Sequence, residues 1–440
     1  MKIQNFSFKS FIVFLERFLF GFALFGYGCV SSFISESAVS RNVTIPYRVI
    51  ILLLSLIIIF VNMFNITLRS KKEYQLNSEE HYVNNQGKNQ KFYWIPKYIL
   101  ICFVLVYSLK LLQYTVYDAS VLVKNPEEYQ IYWFGICLIP ALSFFTVKDC
   151  QFQKYLFSAY IFIYLSCLIS LFSLTKVNSL IDVGRFSREG LNSISLASDS
   201  ISLVILSIFI LTMNKNSLNN KRMVYFICFL GIFLGSFIAV LSGSKGPILS
   251  LFICLILNLM FSKYNHESFF DKKIITGYII LIPLLLLFIL IIANVDQTQL
   301  TLLNRIYKSF EGEDASTLGR LNLIDEAIPL IMSNPIFGSS IEVPGENYVH
   351  NLIIDSFLST GISGGLFFTF IYVYGIIKSI IILKNHYSEW GWLGMIYIQW
   401  AIAILMSGSL YTSNVFWYLI FCLVGLKMNG KKKTYIALHN

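Results

Sequence analysis

Five residues of this chain carry side chains that could act on a phosphorylated substrate: His350, Arg320, Arg185, Arg188 and Lys245. Guanidinium and ammonium groups on one face of a protein are suited to binding a diphosphate, and a nearby imidazole is suited to general-base catalysis. His350 precedes a long apolar run. If a helix begins there, its positive end favours the neutral imidazole that can accept a proton. These side chains fit group transfer from a lipid diphosphate to an acceptor hydroxyl.

Each of these residues also has an ordinary structural interpretation when it is taken alone. An arginine near a helix end, such as Arg185 or Arg188, commonly reaches towards lipid headgroups. A lysine in a short turn, such as Lys245, commonly contacts headgroups, and a single interfacial histidine is commonly hydrogen-bonded within the fold. The predicted placement of all of them on one side of a membrane favours the functional interpretation. No cluster of Asp, Glu, His or Cys has the spacing of a metal site, so neither a metal nor another cofactor is predicted.

The elements that must position these residues are predicted to be membrane-spanning helices. The sequence is 56% hydrophobic and 13% charged, whereas soluble domains carry about 25% charged residues. Its apolar residues come in blocks of roughly 18 to 24, the length of a helix that crosses a bilayer. The blocks are continuous rather than alternating, which excludes a barrel. The predicted fold class is therefore all-α: a polytopic integral membrane protein with about twelve transmembrane helices, forming a single membrane domain over residues 1–440.

The predicted spans are separated by one unusually long connection. The spans run over residues 11–34, 47–66, 95–117, 130–147, 153–174, 192–213, 222–241, 246–261, 273–293, 350–383 (with a break between Gly361 and Gly365), 390–407 and 410–427. Residues 294–349 are predicted to form a large extracytoplasmic loop with an amphipathic helix that ends before Asn334. The apolar face of that helix is predicted to contain Leu321, Ile324, Ile328 and Ile331.

The orientation follows from the placement of lysine and arginine. The formal net charge is +10, and it is attributed to cytoplasmic loops rather than to a nucleic-acid partner. Basic residues crowd the segments 67–94, 214–222, 262–273 and the C-terminal tail. The positive-inside rule places these segments and both termini in the cytoplasm. The five candidate site residues then lie together on the extracytoplasmic side.

Four segments, in this order, resemble motifs of the bacterial O-antigen and capsule repeat-unit polymerases (Wzy type) and of the related O-antigen ligases. The segments are RFSREGLN, the SGSKG turn, GRLNLIDEAIPLIMSNPIFGSS and VHNLIIDSFLSTGISGG, all between residues 180 and 380. Two positions depart from the family pattern. Lys245 stands where the turn usually has arginine, which keeps the charge but loses the bidentate fork. Ser340 stands where the Asn-Pro turn usually has its second glycine.

The resemblance implies an integral-membrane glycosyltransferase that uses neither a metal nor a nucleotide sugar. Its substrates would be undecaprenyl-diphosphate-linked oligosaccharides on the outer face of the bacterial inner membrane. A growing chain would be transferred to the non-reducing-end hydroxyl of another lipid-linked repeat unit, giving O-antigen or capsular polysaccharide. By matching motifs, Arg185 or Arg188, Lys245 and Arg320 would contact diphosphate or sugar, and His350 would be the base or would orient the acceptor. A chain-length regulator is a partner typical of this family.

Two other functions are compatible with the sequence. An O-antigen ligase, which moves finished polymer onto lipid A-core, shares the fold and the kind of site. A flippase, a transporter of lipid-linked oligosaccharides, predicts internal repeats and charges along a central path. No repeat relates the two halves, and the charges assigned to the interior or edge of spans are Lys110, Glu16 and Arg17. The sequence leaves open the sugar repeat, the linkage, the stereochemical outcome and the oligomeric state.

Overall fold

The structure is built from helices. The computed structural model describes residues 8–33, 40–76, 87–118, 122–145, 152–174, 186–188, 190–212, 221–262, 315–345 and 348–426. Within these ranges there is no β-strand, and a single isolated bridge joins Arg188 to Leu191. The predicted all-α fold class is confirmed.

Thirteen α-helices lie in the described ranges. In the described ranges they are α1 (Phe8–Val30), α2 (Ser40–Leu76), α3 (Gly87–Tyr117), α4 (Pro126–Gln130), α5 (Ile139–Phe144), α6 (Phe152–Leu174), α7 (Ser193–Thr212), α8 (Lys221–Leu241), α9 (Lys245–Ser262), α10 (Ala315–Ser333), α11 (Leu352–Asn385), α12 (Tyr387–Met406) and α13 (Asn414–Gly425). A π-helical segment, Ile131–Leu138, joins α4 to α5 without a break. A short 3-10 turn, Ser31–Phe33, follows α1.

Eight of the described helices are long and apolar enough to cross a membrane, namely α1, α2, α3, α6, α7, α8, α9 and α11, and α13 is a shorter apolar helix. The chain is therefore a multi-pass membrane protein. The predicted span 350–383 corresponds to α11, and its predicted break is present as a non-helical residue at Gly361. The predicted span 273–293 lies outside the described residues, as does the first part of the predicted loop.

The central helix of the bundle is α7. It packs against α6, α8, α9 and α12, and nearly all of its side chains are buried. Its polar residues are satisfied within the bundle: Gln399 of α12 donates to the carbonyl of Ser198 (2.6 Å) and accepts from the hydroxyl of Ser202 (2.8 Å). Polar groups in an apolar bundle stabilise helix contacts when they find such partners. This pair of bonds therefore fixes α12 to α7.

A cluster of stacked rings positions the π-helical segment. Trp133 from that segment lies 5.3 Å, centroid to centroid, from Trp417 of α13, and Trp417 lies 5.7 Å from Phe103 of α3. Phe103 in turn lies 5.3 Å from Phe368 of α11. Edge-to-face and offset aromatic pairs of this kind add specific geometry to apolar burial. The cluster holds three helices and the π-helical segment in one arrangement.

The kink in α11 is filled by the turn that follows α10. At Gly361 the backbone has φ 62° and ψ −158°, so the regular helical hydrogen bonds are interrupted there. The N–H of Ile362 donates instead to the carbonyl of Pro335 (2.7 Å), and the N–H of Ser339 donates to the carbonyl of Leu358 (2.8 Å). Because the turn supplies partners on both sides of the kink, it is fixed to α11 by its backbone.

The packed face of α10 contains part of the predicted apolar face. Its buried residue Ala327 clusters with residues that follow the helix, and its packing face contains Leu323, Ile324, Ala327, Leu330 and Ile331. Two residues of the predicted apolar face, Leu321 and Ile328, lie outside this contact and are each 50% exposed. The packed face follows the helical spacing i, i+1, i+4, i+7, i+8.

We call the end of the bundle that carries residues 334–351 the loop end. A buried carboxylate anchors this segment: Glu342 is 1% exposed. It accepts hydrogen bonds from the hydroxyls of Tyr129 (2.5 Å) and Tyr411 (2.6 Å) and from the N–H of Val123 (3.4 Å). Since hydrogen bonds to a charged acceptor are the strong ones, Glu342 ties the segment to the start of α4 and to the turn before α13.

Candidate functional site

His350 stands at the start of α11, directly before its capping residue. The side chain of Asn351 accepts hydrogen bonds from the N–H groups of Ile353 (3.0 Å) and Ile354 (3.2 Å), which is N-cap geometry. His350 itself has φ 61° and is the one non-glycine residue with positive φ among the described residues. This left-handed conformation costs roughly 1–2 kcal/mol in an ordinary residue. The fold therefore holds His350 at the positive end of a helix. Its backbone conformation there is one that is unfavourable for a residue with a β-carbon.

The surroundings of His350 favour its neutral form. Burial lowers the pKa of the imidazole from its usual 6.5, and the nearby charge of Arg320 lowers that pKa further. The ring packs against Tyr348, with 4.4 Å between the centroids. Its Nδ1 is buried and has no hydrogen-bond partner among the residues that the structure describes. A neutral imidazole with an unused nitrogen is able to accept a proton.

Arg320 reaches this site because α10 packs against the first turns of α11. The contact is made through Ala327 and Leu358, which are both fully buried. The guanidinium is close enough to act electrostatically on His350 and on Tyr348. The structure thus places Arg320 and His350, far apart in sequence, in one local site.

Arg188 is at the same end of the bundle but is partly used by the fold. Its Nη2 donates to the carbonyl of Gly28 and to the hydroxyl of Ser31 (2.6 Å), at the C-terminal end of α1. A cation is favourable at that end of a helix. Burial lowers the pKa of Arg188, and the carboxylate of Asp199 opposes this effect. Its Nε and Nη1 are buried and have no hydrogen-bond partner in the described part of the chain.

Lys245 is the first residue of α9 and also lies at the loop end. The tight turn before it is held on two sides: the hydroxyl of Ser244 donates to the carbonyl of Ser193 (3.2 Å), and the N–H of Phe186 donates to the carbonyl of Leu241 (3.1 Å). The turn and the segment that carries Arg188 are therefore neighbours. The remaining predicted residue, Arg185, lies outside the described residues.

A cavity of about 360 Å³ with both polar and apolar walls opens among the helix ends near these residues. Its walls come from α1, α2, the π-helical segment, α7, α12 and the turn before α13, and they include Arg48, Tyr132, Asp199, Tyr348 and Trp400. This volume is within the range of about 300–1,000 Å³ that small-ligand sites have. None of the four described candidate residues lines the cavity. Tyr348, whose ring contacts His350, and Asp199, which faces Arg188, do line it.

The sequence interpretation missed some charged residues inside spans. Asp199, Asp355 and Lys378 all lie within membrane-spanning helices and are buried, so restricting such charges to Lys110, Glu16 and Arg17 was wrong. A single acidic residue in an apolar, serine-rich helix was a readable signal for Asp199.

Two of these buried charges are committed to the fold. The ammonium of Lys378 donates to the carbonyls of Leu423 and Leu426, and Asp355 accepts from the N–H of Leu410 (2.8 Å). Asp199 is the one of the three that borders the cavity. Within the described ranges, no three His, Cys, Asp or Glu side chains are grouped so that they could hold a metal ion.

Comparison with known proteins gives one match. Residues 230–369 match the family Wzy_C, described as O-antigen ligase. The matched region contains Lys245, Arg320, the turn after α10 and His350, while Arg48, Arg188 and Asp199 lie before it. No curated protein matches the chain significantly. Over these residues the chain is similar to that family, and the apolar helices make the chain a multi-pass membrane protein.

Proposed function

We propose that the chain is a membrane glycosyltransferase that polymerises undecaprenyl-diphosphate-linked oligosaccharide repeat units into O-antigen or capsular polysaccharide. The observation that carries the proposal is the proximity of Arg320 to His350 at the start of α11, beside a cavity with polar and apolar walls. A neutral imidazole next to a fixed cation suits a reaction in which a hydroxyl loses a proton while a diphosphate departs.

The proposed reaction proceeds in one displacement. The imidazole of His350 accepts the proton of an acceptor hydroxyl as the hydroxyl oxygen bonds to the anomeric carbon of the donor sugar. The bond between that carbon and the diphosphate oxygen breaks, and undecaprenyl diphosphate leaves with the bonding electrons. Protonated His350 then releases its proton to the leaving diphosphate or to water. Because Arg320 is close to His350, it is positioned to stabilise the negative charge that develops.

Side-chain cations are proposed to hold the leaving group. Lys245, Arg188 and Arg320 lie at the loop end, and Arg185 is proposed to join them. Guanidinium groups bind phosphate through two parallel hydrogen bonds, and ammonium groups bind it as compact charges. The proposal therefore needs no metal, and transfer activity is expected to persist when purified protein is treated with EDTA.

We further propose that the loop end faces the outside of the bacterial inner membrane and that both termini are cytoplasmic. The support is the crowding of lysine and arginine in the segments that join helices at the opposite end. Topology reporters fused after residue 330 and after residue 386 test this directly. An extracytoplasmic signal at 330 and a cytoplasmic signal at 386 are expected, and the reverse pattern would overturn the mechanism.

The ligase is the second candidate, since the matched family is described as O-antigen ligase. The two enzymes differ in the acceptor. A polymerase adds to a sugar hydroxyl on another lipid-linked unit, whereas a ligase adds finished polymer to lipid A-core. The described residues hold the same cations and imidazole for either reaction.

A gel of surface polysaccharide from a strain that lacks the gene separates the candidates. Loss of the ladder, with single repeat units still attached, would identify a polymerase. Full-length polymer retained on the lipid carrier would identify a ligase, and an unchanged profile would contradict both. Complementation with His350→Ala is expected to reproduce the deletion at a normal protein level. Wild-type polymer in that strain would exclude His350 from the site.

A further inference from the structure

The cavity at the loop end has walls of mixed chemistry. Aromatic side chains form much of its surface, among them Tyr27, Tyr132, Tyr348 and Trp400. Between them lie hydroxyl and amide groups and two side chains that carry charge, Arg48 and Asp199. Apolar ring faces combined with several separated donors and acceptors match a sugar ring, which has apolar C–H faces and hydroxyl edges.

The composition of the walls argues against a diphosphate inside this cavity. Arg48 is the one lysine or arginine among the lining residues, and the acidic side chain of Asp199 lines the same space. A group with two or more negative charges is bound best by several cations, and this cavity offers it one. A neutral polyhydroxylated ligand needs no further cation, because its hydroxyls exchange hydrogen bonds with Asp199 and accept from Arg48.

Two donors in the walls are prepared for a ligand. The guanidinium of Arg48 is oriented by Tyr132: its Nη2 donates to the phenol oxygen (2.8 Å), and its central carbon lies 4.5 Å from the ring centroid. Of the five N–H donors of an arginine, this bond uses one. The indole N–H of Trp400 is buried and has no hydrogen-bond partner among the described residues. A buried indole N–H usually finds an acceptor, so the cavity is where one is expected.

The position of the cavity relates it to the proposed proton acceptor. Tyr348 borders the cavity, and its ring lies 4.4 Å from the imidazole of His350, centroid to centroid. A ligand in the cavity is therefore separated from His350 by one aromatic side chain. In the proposed reaction the molecule that must approach the base is the acceptor, because its hydroxyl gives up the proton.

We infer that this cavity binds a sugar of the acceptor chain next to the reacting one and that Arg48, Asp199 and Trp400 hydrogen-bond its hydroxyls. The inference rests on the proposed function for the assignment of the sugar as acceptor. It adds a saccharide subsite to the cation and imidazole groups already described. Its residues Arg48, Asp199 and Trp400 all lie outside the matched residues 230–369.

The binding test uses full-length protein in detergent and a lipid-free probe. The probe is the oligosaccharide released by mild acid from the lipid-linked pool of the producing cells, and saturation-transfer NMR reports its binding. Wild type and His350→Ala are expected to bind it. Arg48→Ala is expected to weaken binding about tenfold or more, the factor for a lost charge-assisted hydrogen bond. Trp400→Phe, which keeps an aromatic ring, is expected to weaken binding about fivefold.

Arg222→Ala is the matched control, because Arg222 is exposed at the opposite end of the bundle. Its binding is expected to equal that of wild type, and thermal midpoints of all variants show whether they are folded. Equal binding by wild type and a folded Arg48→Ala would overturn the inference. Displacement of the oligosaccharide by inorganic diphosphate would also overturn it, since the cavity would then be an anion site.

Transfer assays on the same preparations distinguish failure of the inferred saccharide subsite from failure of the proposed function. With lipid-linked donor and lipid-free acceptor, Arg48→Ala is expected to raise the KM for the acceptor about tenfold, with the KM for the donor unchanged. If wild type transfers sugar and Arg48→Ala has an unchanged acceptor KM, the inferred subsite would be wrong. The proposed glycosyltransferase function would still stand. If the oligosaccharide binds in an Arg48-dependent way but no transfer to sugar or lipid A-core occurs, the proposed function would be wrong. The cavity would still be a saccharide-binding site.

Discussion

A β-carbon on Gly361 would lie 2.6 Å from the backbone nitrogen of Gly338, so the kink of α11 and the turn after α10 are in direct backbone contact. The relationship is reciprocal, since a β-carbon on Gly338 would lie 2.6 Å from the nitrogen of Thr360. Both glycines have positive φ. The helix that follows His350, α11, is thus in backbone contact with the turn after α10, the helix that carries Arg320. There is no room for a side chain at this contact.

Gly361→Ala is expected to destabilise the protein by about 2 kcal/mol or more, because positive φ is unfavourable for alanine and the new carbon meets the backbone of Ile336. Thermal unfolding in detergent measures the effect. Gly319→Ala is the control, since no described atom lies within 4 Å of its β-carbon position and alanine favours a helix. An equal midpoint for wild type and Gly361→Ala would show that the two segments are not in contact.

Glu342→Gln is expected to lower the free energy of unfolding by about 1–3 kcal/mol, because the carboxylate accepts from Tyr129 and Tyr411 and an amide offers one acceptor oxygen. Urea or thermal unfolding is the measurement. Tyr411→Phe, which removes one of the two phenol donors, should lose a smaller part of the same stability. Glu389→Gln serves as the control because its side chain is 67% exposed at the opposite end, and it should unfold as wild type does.

The pH dependence of transfer tests the pairing of His350 with Arg320. The active form of His350 is neutral, and its pKa is lowered below the usual 6.5. The rate is therefore expected to fall only at a pH below the range in which a free imidazole titrates. Arg320→Gln removes the repelling charge, so the pKa of His350 rises and the acid limb moves to higher pH. A limb that stays in place would show that Arg320 does not act on the imidazole.

Substitution of Lys245 tests whether its charge binds the leaving group. Lys245→Arg is expected to retain most transfer activity because the positive charge is kept. Lys245→Ala is expected to lose roughly tenfold to a hundredfold in kcat/KM, the factor for a lost charged hydrogen bond. Lys384→Ala, exposed at the opposite end of α11, should leave the rate unchanged. Equal rates for the arginine and alanine variants would mean that the charge is not used.

The sequence by itself determined the fold class and most of the helices. Long continuous apolar blocks admit only spanning helices, because backbone groups in lipid must be satisfied within their own segment. Local signals also fixed two finer features. The apolar run after His350 marks the start of α11, and Gly361 marks its kink, because glycine adopts positive φ without a steric penalty.

Only the tertiary structure decided which residues meet at the loop end. In the sequence, Arg48 stands near the edge of a predicted span and Asp199 is an isolated acidic residue. The packing of α2 and α7 brings both of them to one cavity. Arg188 is a predicted diphosphate ligand, yet one of its nitrogens donates hydrogen bonds to residues at the C-terminal end of α1. Such contacts join residues more than a hundred positions apart, and composition and periodicity carry no information about that distance.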